Sequence, residues 1–121
     1  MKQYVLVADD SPTIRKFVTF TLKMAGFEVI SASDGMEAAE KLSQYKFDLI
    51  ITDLNMPNMD GFELIKVIRE NPEYDETPVI ILSSLSNSED IDRGIKAGAN
   101  SYLVKPFDPK RLQYEVAKYL N

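Results

Sequence analysis

The sequence predicts an α/β fold, a doubly wound (βα)5 domain with a parallel five-stranded sheet, spanning residues 1–121. Three observations carry this expectation. Five short apolar runs recur along the chain, and they are near-continuous rather than alternating, as parallel strands covered on both faces require. Between and after them lie segments with helical spacing and recognisable start or stop residues. The 121 residues, 45% of them hydrophobic, suffice for one core of ordinary size.

The first strand is expected at Tyr4 to Ala8. Ser11-Pro12 then reads as an N-cap with proline at the first helical position. Ile14, Phe17, Val18, Thr21 and Leu22 form one stripe, and Gly26 ends that helix. The second strand is expected at Phe27 to Ala32, followed by a capping box of Asp34 with Glu37. The third strand is expected at Phe47 to Thr52, and Asp60 with Glu63 opens a helix whose apolar face is Leu64, Ile65 and Ile68. The acidic run Glu73 to Glu76 around Tyr74 reads as a solvated loop. The fourth strand is expected at Val79 to Ser83. Ser86 with Glu89 then reads as a third capping box, Ile91 and Ile95 as the apolar face, and Gly98 as the stop. The last strand is expected at Ser101 to Val104, before a helix opened by Asp108-Pro109 that turns Leu112, Val116 and Leu120 inward.

Right-handed crossovers place the carboxyl ends of all five strands on one edge. The flavodoxin-like order 2-1-3-4-5 makes strands one and three neighbours at the switch point, where open α/β sheets hold ligands. Asp9 and Asp10 end the first run, Asp53 the third, Ser83 the fourth and Lys105 the last. Taken singly, each suits an ordinary loop or helix start. Together they bring carboxylates, a hydroxyl and an ammonium to one edge. Two carboxylates ~4 Å apart repel by ~4 kcal/mol at an effective dielectric of about 20, so the cluster calls for a cation. Hard oxygen donors suit Mg²⁺, and Mn²⁺ fits the same set. A metal, a lysine point charge and a carboxylate nucleophile are the parts phosphoryl transfer needs, with Asp53 as the acceptor.

Composition removes other classes. The net charge is −5, which disfavours nucleic-acid phosphate or an anionic membrane as a direct partner. There is no cysteine, hence no thiolate nucleophile, and no histidine, hence no phosphohistidine on this chain. No apolar run approaches a membrane span, and a cytoplasmic location is expected.

These motifs resemble the receiver domain of a bacterial two-component response regulator, of the single-domain chemotaxis type. The resemblance rests on Asp9-Asp10-Ser11, on Asp53-Leu54-Asn55-Met56-Pro57-Asn58-Met59-Asp60-Gly61, on Pro78 to Ser84 and on Gly98 to Phe107. It runs from about Lys2 to Leu120. It implies Asp53 as phosphoacceptor, Asp10, Asp53 and the Asn55 backbone carbonyl as Mg²⁺ ligands, and Asp9 acting through water. It implies Lys105 and Ser83 on the phosphoryl group, Tyr102 swinging inward as Ser83 moves, and a Lys105-Pro106 bond similar to one that is cis in the family. Two positions depart from the pattern. Ser84 stands where alanine is commonest. Leu85 stands beside the path of the attacking water together with Asn55, and an apolar side chain there cannot orient water, so slow self-dephosphorylation is expected.

The implied donor is a histidine kinase or histidine phosphotransfer protein. Output is expected by protein–protein contact through a face of the fourth helix, last strand and fifth helix that carries Arg93, Lys96, Tyr102, Lys110, Arg111 and Lys118. A monomer with no output domain after the fifth helix is expected. Three other functions compete. A phosphorelay carrier would pass the phosphoryl group to another histidine. A phosphohydrolase would want a second acid two residues past its nucleophile, where Asn55 stands. A flavin module would want a hydroxyl- and glycine-rich loop after the first strand, where Asp9-Asp10 would repel phosphate.

Overall fold

The computed structural model describes residues 2–120; Met1 and Asn121, the ends of the expected domain, lie outside the described residues. Five strands form one parallel sheet: β1 (Tyr4–Ala8), β2 (Glu28–Ala32), β3 (Leu49–Thr52), β4 (Val79–Ser83) and β5 (Ser101–Val104). Their order is β2-β1-β3-β4-β5, as expected. Five helices connect and cover them: α1 (Pro12–Met24), α2 (Gly35–Lys41), α3 (Gly61–Glu70), α4 (Ser88–Ala97) and α5 (Pro109–Ala117).

The continuous apolar runs have a simple cause. Alternate residues of β1 serve two separate cores: Leu6 and Ala8 on one face, Val5 and Val7 on the other. The first core packs against Leu64, Ile65 and Ile68 of α3 and Ala38 of α2. The second packs against Val18 and Leu22 of α1 and Leu112 and Val116 of α5. With almost no face left to water in β1, β3 and β4, their positions favour apolar side chains. Register then aligns the strand ends: Ala8 lies opposite Thr52, and Ser83 opposite Val104. The residues just beyond these pairs, Asp9, Asp53 and Lys105, therefore emerge together.

Several local expectations are corrected. β2 starts at Glu28 rather than Phe27, because the Phe27 amide donates to Leu22 O at 3.1 Å and closes α1 behind Gly26, whose φ is +99°. β3 starts at Leu49 rather than Phe47, because the Phe47 amide faces the Tyr74 hydroxyl instead of a strand. Asp34 caps α2, but Glu37 reaches the Ser33 amide at 2.6 Å rather than the Asp34 amide, so the box is not reciprocal. α4 is capped by Asn87 onto the Asp90 amide, one residue later than Ser86 with Glu89. Its apolar face is also weaker than expected: Gly94 is its buried residue, while Ile91 is half-buried and Ile95 is 44% exposed.

The segment around Tyr74 is not a solvated loop. Pro72–Tyr74 forms a short 3₁₀ turn, and Tyr74 is wholly buried. Its hydroxyl donates to carbonyls of Leu42 and Tyr45, each at 2.8 Å. Polar neighbours hid a core residue: the aromatic ring enters the core while the acids around it stay wet. Among the described residues, no helix is long and apolar enough to cross a membrane.

Candidate functional site

Asp9 and Asp53 follow directly on the neighbouring central strands β1 and β3, and Asp10 begins the turn into α1. One carboxylate oxygen from each of the three lies within 4.8 Å of the others. Asp9 and Asp53 are buried, at 1% and 7% exposure, while Asp10 is exposed. Lys105, delivered by β5 from across β4, spans the two buried acids. Its Nζ is 2.8 Å from Asp9 Oδ2 and 3.4 Å from Asp53 Oδ2. The Lys105-Pro106 peptide bond is cis.

The two buried acids are held differently. Both Asp9 oxygens are engaged, Oδ1 by the Ser11 amide at 2.9 Å and Oδ2 by Lys105. Its carbonyl accepts from Arg15 Nη1 at 2.7 Å. Asp53 Oδ1 accepts from the Leu54 amide at 2.7 Å, and Oδ2 has the longer bond to Lys105. Among the described residues, the Asp10 carboxylate has no hydrogen-bond or ion-pair partner. Burial pushes the Asp53 carboxyl above the ordinary carboxylate range; Lys105 opposes this, the Asp9 charge reinforces it, and the Leu54 amide opposes it. Burial alone would lower Lys105, but the hydrogen bond to Asp9 and the charges of Asp53 and Asp9 outweigh it and raise the group.

Ser83 and Tyr102 are linked through one residue, Leu85. Ser83 Oγ, wholly buried, accepts from the Leu85 amide at 3.1 Å. The Tyr102 hydroxyl donates to the Leu85 carbonyl at 2.8 Å, so this tyrosine is already partly turned in. Burial raises its hydroxyl pKa. Leu85 itself is half-buried and packs on the first core. Asn55 lies in the β3–α3 loop with its side chain exposed.

Sequence reasoning missed three supporting residues. In the sequence Gly61 stands only as the last residue of the motif that begins at Asp53. A Cβ on it would lie 2.2 Å from Asp53 O and 2.8 Å from Leu54 Cα, so the backbone bearing Asp53 packs where a side chain would be. The Thr52 hydroxyl donates to Asp53 O at 2.8 Å, and Arg15 braces Asp9 from α1. None carries a signal in the sequence, because each acts on backbone atoms, which no side-chain pattern marks.

The clustered oxygens fit a hard divalent ion. Three carboxylates against one lysine leave excess negative charge, and among the described residues Asp10 has no partner.

The fold and this acidic edge define a signalling domain of the α/β receiver type. Residues 5–117 match the response regulator receiver domain, and the chain belongs to that family. It is 40% identical over 111 residues to chemotaxis protein CheY1 of Helicobacter pylori, covering 90% of each chain. It is 46% identical over 101 residues to a gliding motility regulatory protein of Myxococcus xanthus, covering 84% of this chain but 13% of that protein. Its structure resembles that of chemotaxis protein CheY4 of Vibrio cholerae, with a TM-score of 0.95, 42% identity, and coverage of 99% and 100%. It also resembles the receiver domain of sensor histidine kinase PA1611 from Pseudomonas aeruginosa, solved with a magnesium ion coordinated in its active-site cleft. There the TM-score is 0.90, the identity 27%, and the coverage 98% of each chain. Receiver domains are switches of two-component signalling, and the family binds Mg²⁺ at its acidic pocket.

Proposed function

We propose that this chain is a switch that accepts a phosphoryl group on Asp53 from a phosphohistidine on a histidine kinase or phosphotransfer protein. One observation supports this above the others: a buried carboxylate at the end of the central strand, with two more carboxylates and a lysine around it. An Asp53 oxygen attacks phosphorus, the phosphorus–nitrogen bond of the donor breaks, and its electron pair stays on the departing imidazole. Asp53 Oδ1 is held by the Leu54 amide, which leaves Oδ2, weakly held by Lys105 at 3.4 Å, as the attacking oxygen. Lys105 is placed to shift from Asp53 to the incoming phosphoryl oxygens while keeping its bond to Asp9.

Asp10, Asp53 and the Asn55 carbonyl would hold Mg²⁺, with Asp9, both of whose oxygens are engaged, acting through water. When bound, the ion would supply neutralisation of the charge gathered at this site. Ser83 would exchange its bond from the Leu85 amide for a bond to the phosphoryl group, and Leu85, joined to Tyr102, would carry that change to β5. The readout is the face of α4, β5 and α5, presented by a monomer to a protein target. Some of its cations are already engaged: Arg111 and Lys118 pair with the buried Glu115 at 3.5 and 3.2 Å, and Arg93 stacks on the Phe62 ring at 3.8 Å.

The test is intact-mass analysis after incubation with Mg²⁺ and a small acyl-phosphate donor. The wild-type chain should gain one phosphoryl group and Asp53→Asn none. Equal gain by both would overturn the assignment.

A further inference from the structure

We propose that Asn58 and Asp34 form a latch that aims the Asn55 carbonyl, making both of them positioning residues for the Mg²⁺ site. This rests on the proposed role of Asn55 as a ligand. Among the described residues, no hydrogen bond reaches that carbonyl. Its direction is therefore set by what grips the loop on either side.

The upstream grip is on Leu54, whose carbonyl accepts from the Gly61 amide at 2.9 Å. Met56 is buried at 9% exposure and plugs the loop into the first core. The downstream grip is the latch. Asn58 has φ of +68°, in the left-handed region that few side chains tolerate and asparagine tolerates best. Its Nδ2 donates to Asp34 Oδ2 at 2.7 Å, a short charge-assisted bond across 24 residues of sequence. Asp34 cannot follow the loop if it moves, because its Oδ1 accepts from the Glu37 amide at 2.8 Å and caps α2. One residue on, the Gly35 amide donates to Met59 O at 3.2 Å. A Cβ on Gly35 would lie 2.2 Å from that oxygen, so only glycine permits this approach. Two successive residues of the loop are thus docked onto two successive residues at the start of a helix. Asp34 serves as cap with one oxygen and as latch with the other. A cap needs one oxygen; the second is spent on the loop that carries the ligand.

An ordinary surface bond would affect stability and leave metal affinity alone. Calorimetric titration of the whole chain with Mg²⁺, without phosphodonor, separates the two. Asn58→Gly keeps the positive φ and removes the amide, and should weaken Mg²⁺ binding about 10-fold. Asn58→Asp opposes two carboxylates; its added charge would by itself tighten Mg²⁺, so a loss here isolates the geometric effect. The exchanged pair, Asp34→Asn with Asn58→Asp, rebuilds the bond at unchanged net charge and should recover the wild-type affinity to within about threefold. The latch is overturned if both Asn58 variants stay within about twofold of wild type while Asp10→Asn and Asp53→Asn lose Mg²⁺. It is also overturned if the exchanged pair fails to rescue Asn58→Asp. If Asp10→Asn and Asp53→Asn bind Mg²⁺ as wild type does, the ligand assignment itself fails, and the latch with it.

Discussion

Replacing Asp53 with asparagine should make the metal-free chain more stable at neutral pH. The three carboxylates lie within 4.8 Å of one another, so each like-charge pair repels by ~3.5 kcal/mol at an effective dielectric of about 20. Asp53 meets two such neighbours. Lys105 at 3.4 Å returns ~5 kcal/mol on the same scale. About 2 kcal/mol of repulsion survives, and the exposure of Asp10 trims it toward about 1 kcal/mol. Burial of Asp53 adds to the penalty, and the Leu54 amide reduces it.

The sign follows from the raised carboxyl pKa. The folded chain holds this proton more tightly than the unfolded chain, so ionisation above the ordinary value of 3.8 costs folding stability. That cost is absent below 3.8 and complete once pH exceeds the raised value. Asp53→Asn removes it, for a gain of about 1–2 kcal/mol at neutral pH, or about 4–8 °C in Tm for a domain of this size. Urea and thermal unfolding followed by circular dichroism, with and without Mg²⁺, provide the assay. The gain should shrink as pH falls toward 3.8, and Mg²⁺ should stabilise wild type more than the variant. A variant no more stable than wild type at neutral pH without metal would refute the reasoning. So would an equal gain at every pH.

Gly61→Ala should cost about 1–3 kcal/mol, because its Cβ meets backbone atoms that must move, and it should slow phosphorylation by displacing Asp53; unchanged phosphorylation rate and unfolding midpoint would count against it. Tyr74→Phe should cost about 1–3 kcal/mol by leaving the Leu42 and Tyr45 carbonyls without their shared donor, while phosphorylation of Asp53 by a small donor proceeds at the wild-type rate. Leu85→Glu should shorten the lifetime of the phosphorylated chain by giving the attacking water a hydrogen-bond partner; decay at the wild-type rate, followed by intact mass, would sink that idea.

Asp53 was legible because it breaks a long apolar run, and Lys105 because it ends one. The helix starts at Ser11, Asp60 and Asp108 were legible because a capping side chain acts within three residues of itself. Local chemistry can be read locally. Ser86 with Glu89 failed for the same reason in reverse: Asn87 with Asp90 offers an equivalent frame one residue later, and nothing nearby ranks the two. Ile91 and Ile95 show that periodicity marks an apolar face without supplying a neighbour to cover it.

Alternation of strands and helices, apolar central strands, and acids at strand ends determined the architecture and the edge where the acidic cluster sits. The pairings were decided only when the chain closed. Lys105 lies closer to Asp9 than to Asp53, 2.8 against 3.4 Å, although β5 stands nearer to β3 than to β1, so neither spacing in the chain nor strand order ranks the two partners. Tyr74 goes inward because two carbonyls from a segment about thirty residues earlier converge on its hydroxyl. The approaches of Gly61 to Asp53 and of Gly35 to Met59 are contacts between backbones, and a sequence specifies side chains. The residues hardest to foresee are therefore those whose role is to hold a backbone atom in place.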